Sequence, residues 1–178
     1  MKRRDLLTGA VGLTVAGGGA AVAVGDLDID GDDAGINPVV LETIDAPGSE
    51  AGTTTVPQRG RVTFVELFAT WCTVCQHTME PLSVVHHDVG EDVQFVSVTS
   101  EPVGNTVTRD DVAAWWTANG GDWTVALDTD LELTEQLDAG GVPYAFVLDE
   151  SNTVTWSERG YKSADAFQRP IEAALTDE

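Results

Sequence analysis

The sequence predicts an α/β fold, a single domain in which helices flank a central mixed β-sheet, and three observations carry that prediction. Residues 62–69 are apolar on both faces: Val62, Phe64, Glu66 and Phe68 fall on one side, Val65 and Leu67 on the other. A strand of that kind is buried in the middle of a sheet. Helix-period and strand-period stretches then alternate, which implies parallel strands linked by helices. Two apolar runs joined by Asp149-Glu150-Ser151-Asn152 follow as an antiparallel hairpin signal, so the sheet is mixed.

Taken in order, the chain opens on MKRRDLLTGAVGLTVAGGGAAVAV, a basic start followed by an uncharged Gly- and Ala-rich run from Leu6 to Val24. That is the plan of an export signal. Arg3-Arg4-Asp5-Leu6-Leu7 resembles the twin-arginine type, and Ala21-Val22-Ala23 offers a small-residue cleavage site. Left uncut, residues 6–24 are long enough to tether the protein to a membrane. Either way the domain is expected outside the cytoplasm, secreted or anchored at the cell surface. The expected organisation is a signal or anchor over residues 1–23, an acidic linker over 24–37 and the domain over 38–178. Asp26, Asp28 and Asp30 with Gly31 are spaced like the first half of an EF-hand calcium loop, but Asn37 stands where that loop needs a bidentate Glu. The stretch therefore reads as a solvated linker, and no metal site or cofactor is assigned.

Within the domain, residues 39–44 and 53–56 read as short first strands, separated by a turn at Pro47-Gly48. A helix over 74–89 places Met79, Leu82, Val85 and Val89 on its inner face, with Pro81 expected to bend it. Residues 93–98 form the next strand, parallel to 62–69 by the handedness of a strand-helix-strand unit. Thr108-Arg109-Asp110-Asp111 fits a capping box that opens a helix bearing Val112, Trp115 and Trp116 and stopping at Gly120-Gly121. A strand over 123–127 follows, then a helix capped by Asp130, bearing Leu133 and Leu137 and ending at Gly140-Gly141. The hairpin runs are 144–148 and 153–156, and a last helix from about Ser163 presents Phe167, Ile171 and Leu175.

Thirty acidic residues against nine basic ones give a net charge of -21. Such a surface repels nucleic acid and anionic lipid, which excludes both as partners of the folded domain. Lys2 and Lys162 are the only lysines, and 18 Asp outnumber 12 Glu. Asp-rich, Lys-poor surfaces resemble those of proteins from salt-loving microbes, so the fold is expected to weaken at low salt, where self-repulsion is unscreened. A monomer is expected.

Cys72 and Cys75 are the only cysteines, spaced C-x-x-C between the buried strand and the helix after it. A thiol where a helix begins faces unpaired N–H groups and the positive end of the dipole, which favours the thiolate. Cys72 is thus the candidate nucleophile. Cys75, one turn on and more buried, is the candidate to resolve a mixed disulfide. A zinc site would need two further ligands, and no second C-x-x-C exists. Glu66, set among Val62, Phe64 and Phe68, is expected to have a raised pKa and to exchange a proton with Cys75. Trp71 stands beside the nucleophile as a shield. His77, His86 and His87 read as surface residues.

The stretch from Phe64 to Cys75, FVELFATWCTVC, followed by Gly141-Val142-Pro143, resembles the thioredoxin superfamily. The export segment and residues 123–160 are similar to the TlpA-like exported thiol-disulfide oxidoreductases, which carry an insertion here spanning roughly 101–137. The resemblance covers about residues 38–176. It implies that Pro143 is a cis-proline beside the dithiol, that the backbone of Val142 offers strand-like hydrogen bonds to a substrate peptide, and that Glu66 holds the place of the buried thioredoxin acid. It also implies reduction of protein disulfides outside the cytoplasm, as in cytochrome c or copper-oxidase maturation, with an unidentified redox partner. Two departures stand out: Pro81 lies six residues after Cys75 where the family usually has five, and Thr73-Val74 matches no common intervening dipeptide. The second leaves open a disulfide-forming oxidase. From another class, a Cu(I) carrier using Cys72, Cys75 and Met79 also stays open.

Overall fold

The computed structural model describes residues 35–176; the export segment and the calcium-like Asp26, Asp28 and Asp30 lie outside the described residues. The β-branched and apolar runs form strands β1 (Val39–Thr43), β2 (Gly52–Val56), β3 (Thr63–Phe68), β4 (Gln94–Thr99), β5 (Thr124–Leu127), β6 (Tyr144–Leu148) and β7 (Val154–Arg159). The helices are α1 (Thr73–Val89), α2 (Arg109–Ala118), α3 (Glu132–Gln136) and α4 (Ala164–Thr176). Among the described residues the strands make one sheet in the order β2-β1-β5-β4-β3-β6-β7. The central strands β3, β4 and β5 are parallel, while β6 runs antiparallel beside β3 and β7 antiparallel beside β6. The sheet is therefore mixed, as the alternation and closing hairpin predict.

Every residue of β3 and β4 is buried, and the two faces feed separate apolar clusters. Phe64 and Phe68 join Met79, Leu82 and Val85 of α1, Val112 and Trp116 of α2 and Phe167 and Ile171 of α4. Val65 and Leu67 join Val96, Val98, Leu133 of α3 and Leu137 just after it. Burial on both faces is the main stabilising term, at about 25 cal/mol for each Å² of apolar surface removed from water. α1 continues through Pro81, which is itself buried, so the proline does not end the helix.

The capping box at Thr108 forms as expected: its hydroxyl oxygen accepts from the Asp111 N–H, and the Asp111 carboxylate accepts from the Thr108 N–H and O–H. The Thr108 hydroxyl and amide hold the Asp111 carboxyl below its ordinary pKa. The cap of α3 differs from expectation. Asp130 does not cap it; the buried Asp128 reaches forward to accept from the N–H groups of Leu133 and Thr134 and from the Thr134 hydroxyl. Nor does Gly140-Gly141 end it, because the helix stops at Gln136 and Asp138 turns the chain at φ 48°. The first described residues belong to the sheet's lower end: Ile36 N–H donates to the Asn152 carbonyl and Asn37 N–H to Gln136.

Candidate active site

Three backbone segments meet at the carboxyl end of β3. The first is the turn 69–72, closed by a hydrogen bond from Cys72 N–H to the Ala69 carbonyl at 3.0 Å. The second follows from register: Leu67 pairs with Tyr144, so Pro143 and Val142 run back alongside Phe68 and Ala69. The third is Gly160, whose N–H donates to the Pro143 carbonyl at 2.9 Å. The Val142–Pro143 peptide is cis. Gly141 at φ 133° leaves room that a side chain would fill, since a Cβ there would lie 2.5 Å from the Arg159 guanidinium. Arg159 donates to the Gly140 carbonyl at 2.6 Å and lies over the Tyr144 ring, tying this loop to β7.

Cys72 is the N-cap of α1, and its sulfur accepts the Cys75 N–H at 3.0 Å. The pair forms a disulfide. Cys75 is 0% exposed and Cys72 7%, so attack from outside can reach Cys72 but not its partner. Trp71, by contrast, is 73% exposed: it packs in no core and stands out beside the pair. Pro143 is buried and Val142 half-buried, packed against both apolar clusters. A cleft of about 400 Å³ lined by Glu42, Val103, Thr108, Arg109 and Leu127 includes neither cysteine.

Glu66 is 1% exposed and, by alternation along β3, shares its face with Phe64 and Phe68. Its strand neighbours are Ser97 on one side and Ala145 on the other. Neither carboxyl oxygen has a hydrogen-bond partner in the protein. Burial pushes its pKa up to about 8, against a weaker downward pull from Ser97. The Ser97 hydroxyl oxygen accepts the Trp123 indole N–H at 3.0 Å. Glu66 is therefore protonated at neutral pH in the oxidised protein.

Met79 is 1% exposed and belongs to the core beside Cys75. His77 is exposed, as expected. His86 is not a simple surface residue. It is half-buried, packs against Phe95 and Trp123, and lies 3.3 Å from Asp122, close enough for an ion pair but not aligned as a hydrogen bond. His87 reaches the other Asp122 oxygen at 3.3 Å. No group of three His, Cys, Asp or Glu among the described residues is placed to hold a metal ion. One residue that sequence reasoning passed over lies at the site: Glu101, buried at 6% exposure, holds Thr70 two residues before Cys72. Its only sequence signal was a carboxylate two residues after an all-buried strand.

A mixed sheet with a C-x-x-C disulfide at a helix start and a cis-proline alongside defines a thioredoxin-fold oxidoreductase working through a dithiol. The chain belongs to the redoxin family, whose profile matches residues 32–175. No curated protein matches it in sequence. Solved structures share the fold. A putative thiol:disulfide interchange protein DsbE from Chlorobium tepidum is 21% identical, with TM-score 0.65, covering 79% of this chain and 95% of that one. StoA from Bacillus subtilis is 19% identical, with TM-score 0.62 and coverage of 75% and 97%. A secreted Mycobacterium tuberculosis disulfide oxidoreductase is 16% identical, with TM-score 0.60 and coverage of 74% and 94%.

Proposed function

We propose that the protein works outside the cytoplasm and reduces disulfides of other proteins, with cytochrome c or copper-oxidase maturation as its setting. The observation that carries the reading is the asymmetry of the pair: Cys72 caps α1, while Cys75 is wholly buried in the apolar face that Glu66 shares. The Cys72 thiolate attacks a substrate disulfide, forming a mixed disulfide and expelling one substrate thiolate. Cys75 gives up its proton and attacks the Cys72 sulfur, releasing the second substrate thiolate and closing the Cys72–Cys75 bond. Two electrons pass to the substrate, whose thiolates take up protons. Burial disfavours the Cys75 thiolate, so a base is needed; with a pKa of about 8, Glu66 is ionised in about one molecule in ten at neutral pH and takes the proton in that form, and the nearness to a thiol's ordinary 8.5 keeps the exchange from costing much. The exposed Trp71 and the Val142 backbone would receive the substrate peptide. A separate redox partner must return the protein to its dithiol state.

Export is supported by the twin-arginine-like start and by the likeness in fold to a secreted Mycobacterium tuberculosis disulfide oxidoreductase. Among the described residues no helix is long and apolar enough to cross a membrane, so any tether would come from residues 6–24. The deciding experiment is equilibration with a thiol buffer in molar salt, together with trapping by a Cys75→Ser variant. A potential near about -270 mV and covalent capture of proteins through Cys72 are expected; near about -120 mV the protein is instead an oxidant. A variant that traps nothing, in a wild type that binds Cu(I) tightly, would replace the enzyme by a carrier.

A further inference from the structure

Glu101 has no part in the steps above, yet it grips the loop that presents the nucleophile. Its Oε2 accepts the Thr70 backbone N–H at 2.7 Å and the Thr99 hydroxyl at 3.2 Å, and its Oε1 accepts the Thr70 hydroxyl at 2.8 Å. In every one of these bonds Glu101 accepts, the behaviour of an ionised carboxylate. Thr70 is the second residue of the 69–72 turn that ends on Cys72. Phe68 and Thr99 are parallel neighbours at the ends of β3 and β4, and the carboxylate joins the two chains where they leave the sheet.

A glutamine could accept from the Thr70 amide as well. What a carboxylate adds is a fixed negative charge close to the sulfur. Two residues of chain span at most about 7 Å. A charge about 10 Å away at an effective dielectric of about 20 moves an ionisation by roughly one pH unit. At Cys72 that movement is upward, against the α1 dipole, which favours the thiolate. Weakening the thiolate weakens the reduced form, so the disulfide is relatively favoured and the protein becomes the stronger reductant.

We propose that Glu101 is a positioning residue for Cys72, holding the 69–72 turn and setting the couple toward reduction. The inference rests on Cys72 being the nucleophile. The other titratable groups on the elements around the loop are Glu66 on β3, Cys75, His77, Glu80, His86, His87 and Asp88 on α1, Tyr144 on β6, and Glu158 and Arg159 on β7; all are retained in the variants below.

The test is the pH dependence of iodoacetamide labelling of the reduced protein in molar salt, with the labelled sulfur mapped by mass, alongside equilibration with glutathione. Glu101→Gln is expected to lower the Cys72 labelling pKa by about one unit. It should also shift the equilibrium about tenfold toward the reduced protein above the wild-type Cys72 pKa, equivalent to about 30 mV. Glu101→Asp, which keeps the charge, should return toward the wild-type profile. An unchanged profile in a folded Glu101→Gln protein overturns the proposal. Labelling confined to Cys75 in the wild type overturns the nucleophile assignment itself, a separate outcome. Should Glu101→Gln not fold, the wild type still decides: the Thr70 amide must resist hydrogen exchange in both redox states, and rapid exchange there refutes the clamp.

Discussion

Glu66 and Glu101 are both buried carboxyl groups near one dithiol, yet their surroundings are opposite. Glu66 stands in mid-sheet with no protein hydrogen-bond partner and a pKa raised to about 8. Glu101 stands where the chains leave the sheet and receives three donors. Hydrogen-bond supply decides which one is a neutral acid able to trade a proton and which one a fixed charge able to hold a loop. On the proposed reading the same residue type serves proton transfer below the sulfur pair and placement beside it.

The largest effect that would break this contrast is on stability, with opposite signs. Glu101→Leu strands two Thr70 donors and the Thr99 hydroxyl, and should cost about 3–5 kcal/mol in urea unfolding. Glu66→Leu should raise stability at pH 8 or above, since it removes a buried ionisable group that has no partner. A loss in both would mean that Glu66 is satisfied after all. The pH dependence sharpens the point. The folded pKa of Glu66 lies above its unfolded value, so the unfolded chain releases the proton first as pH rises. Wild-type stability should therefore fall between about pH 4.5 and 8, by up to a few kcal/mol, and then level off. Glu66→Gln should lack this fall, which should therefore appear in full in the difference between the two proteins.

Next in size is the rate: Glu66→Gln should slow resolution of the mixed disulfide by about a hundredfold while the fold persists, read by stopped-flow exchange. Wild-type rates would remove Glu66 from proton transfer. Smallest is the control at Asp128, a third buried carboxylate with three donors, this one serving α3. Asp128→Ala should cost about 1–2 kcal/mol and leave the labelling pKa of Cys72 where it was. A shifted pKa would show that any lost carboxylate, however placed, reaches the sulfur.

Much of this was legible because it depends on near neighbours in the chain. The alternation in 62–69 announced a strand buried on both sides and put Glu66 among aromatic residues, and the capping box at Thr108 involves residues three apart. What escaped depends on sheet pairing. Glu101 meets Thr70 across 31 positions, a contact made only when β3 and β4 lie parallel in one register. The misplaced cap of α3 has a related cause. Leu131 adopts φ 61°, which lets Asp128 reach past it to the helix start, whereas reading by the nearest acidic residue picks Asp130. His86 was set aside because its aromatic neighbours Phe95 and Trp123 lie on other strands or their approaches.

The bond from Ile36 to Asn152 bears on how the molecule is oriented toward its partners. Asn152 follows the end of β6 that pairs with Thr63, while the dithiol follows the opposite end of β3, beyond the pairing of Leu67 with Tyr144. The chain thus enters the domain at one pole and offers its sulfur at the other. About 20 Å of β-sheet thus separates the backbone bond at Ile36 from the turn that carries the sulfur pair.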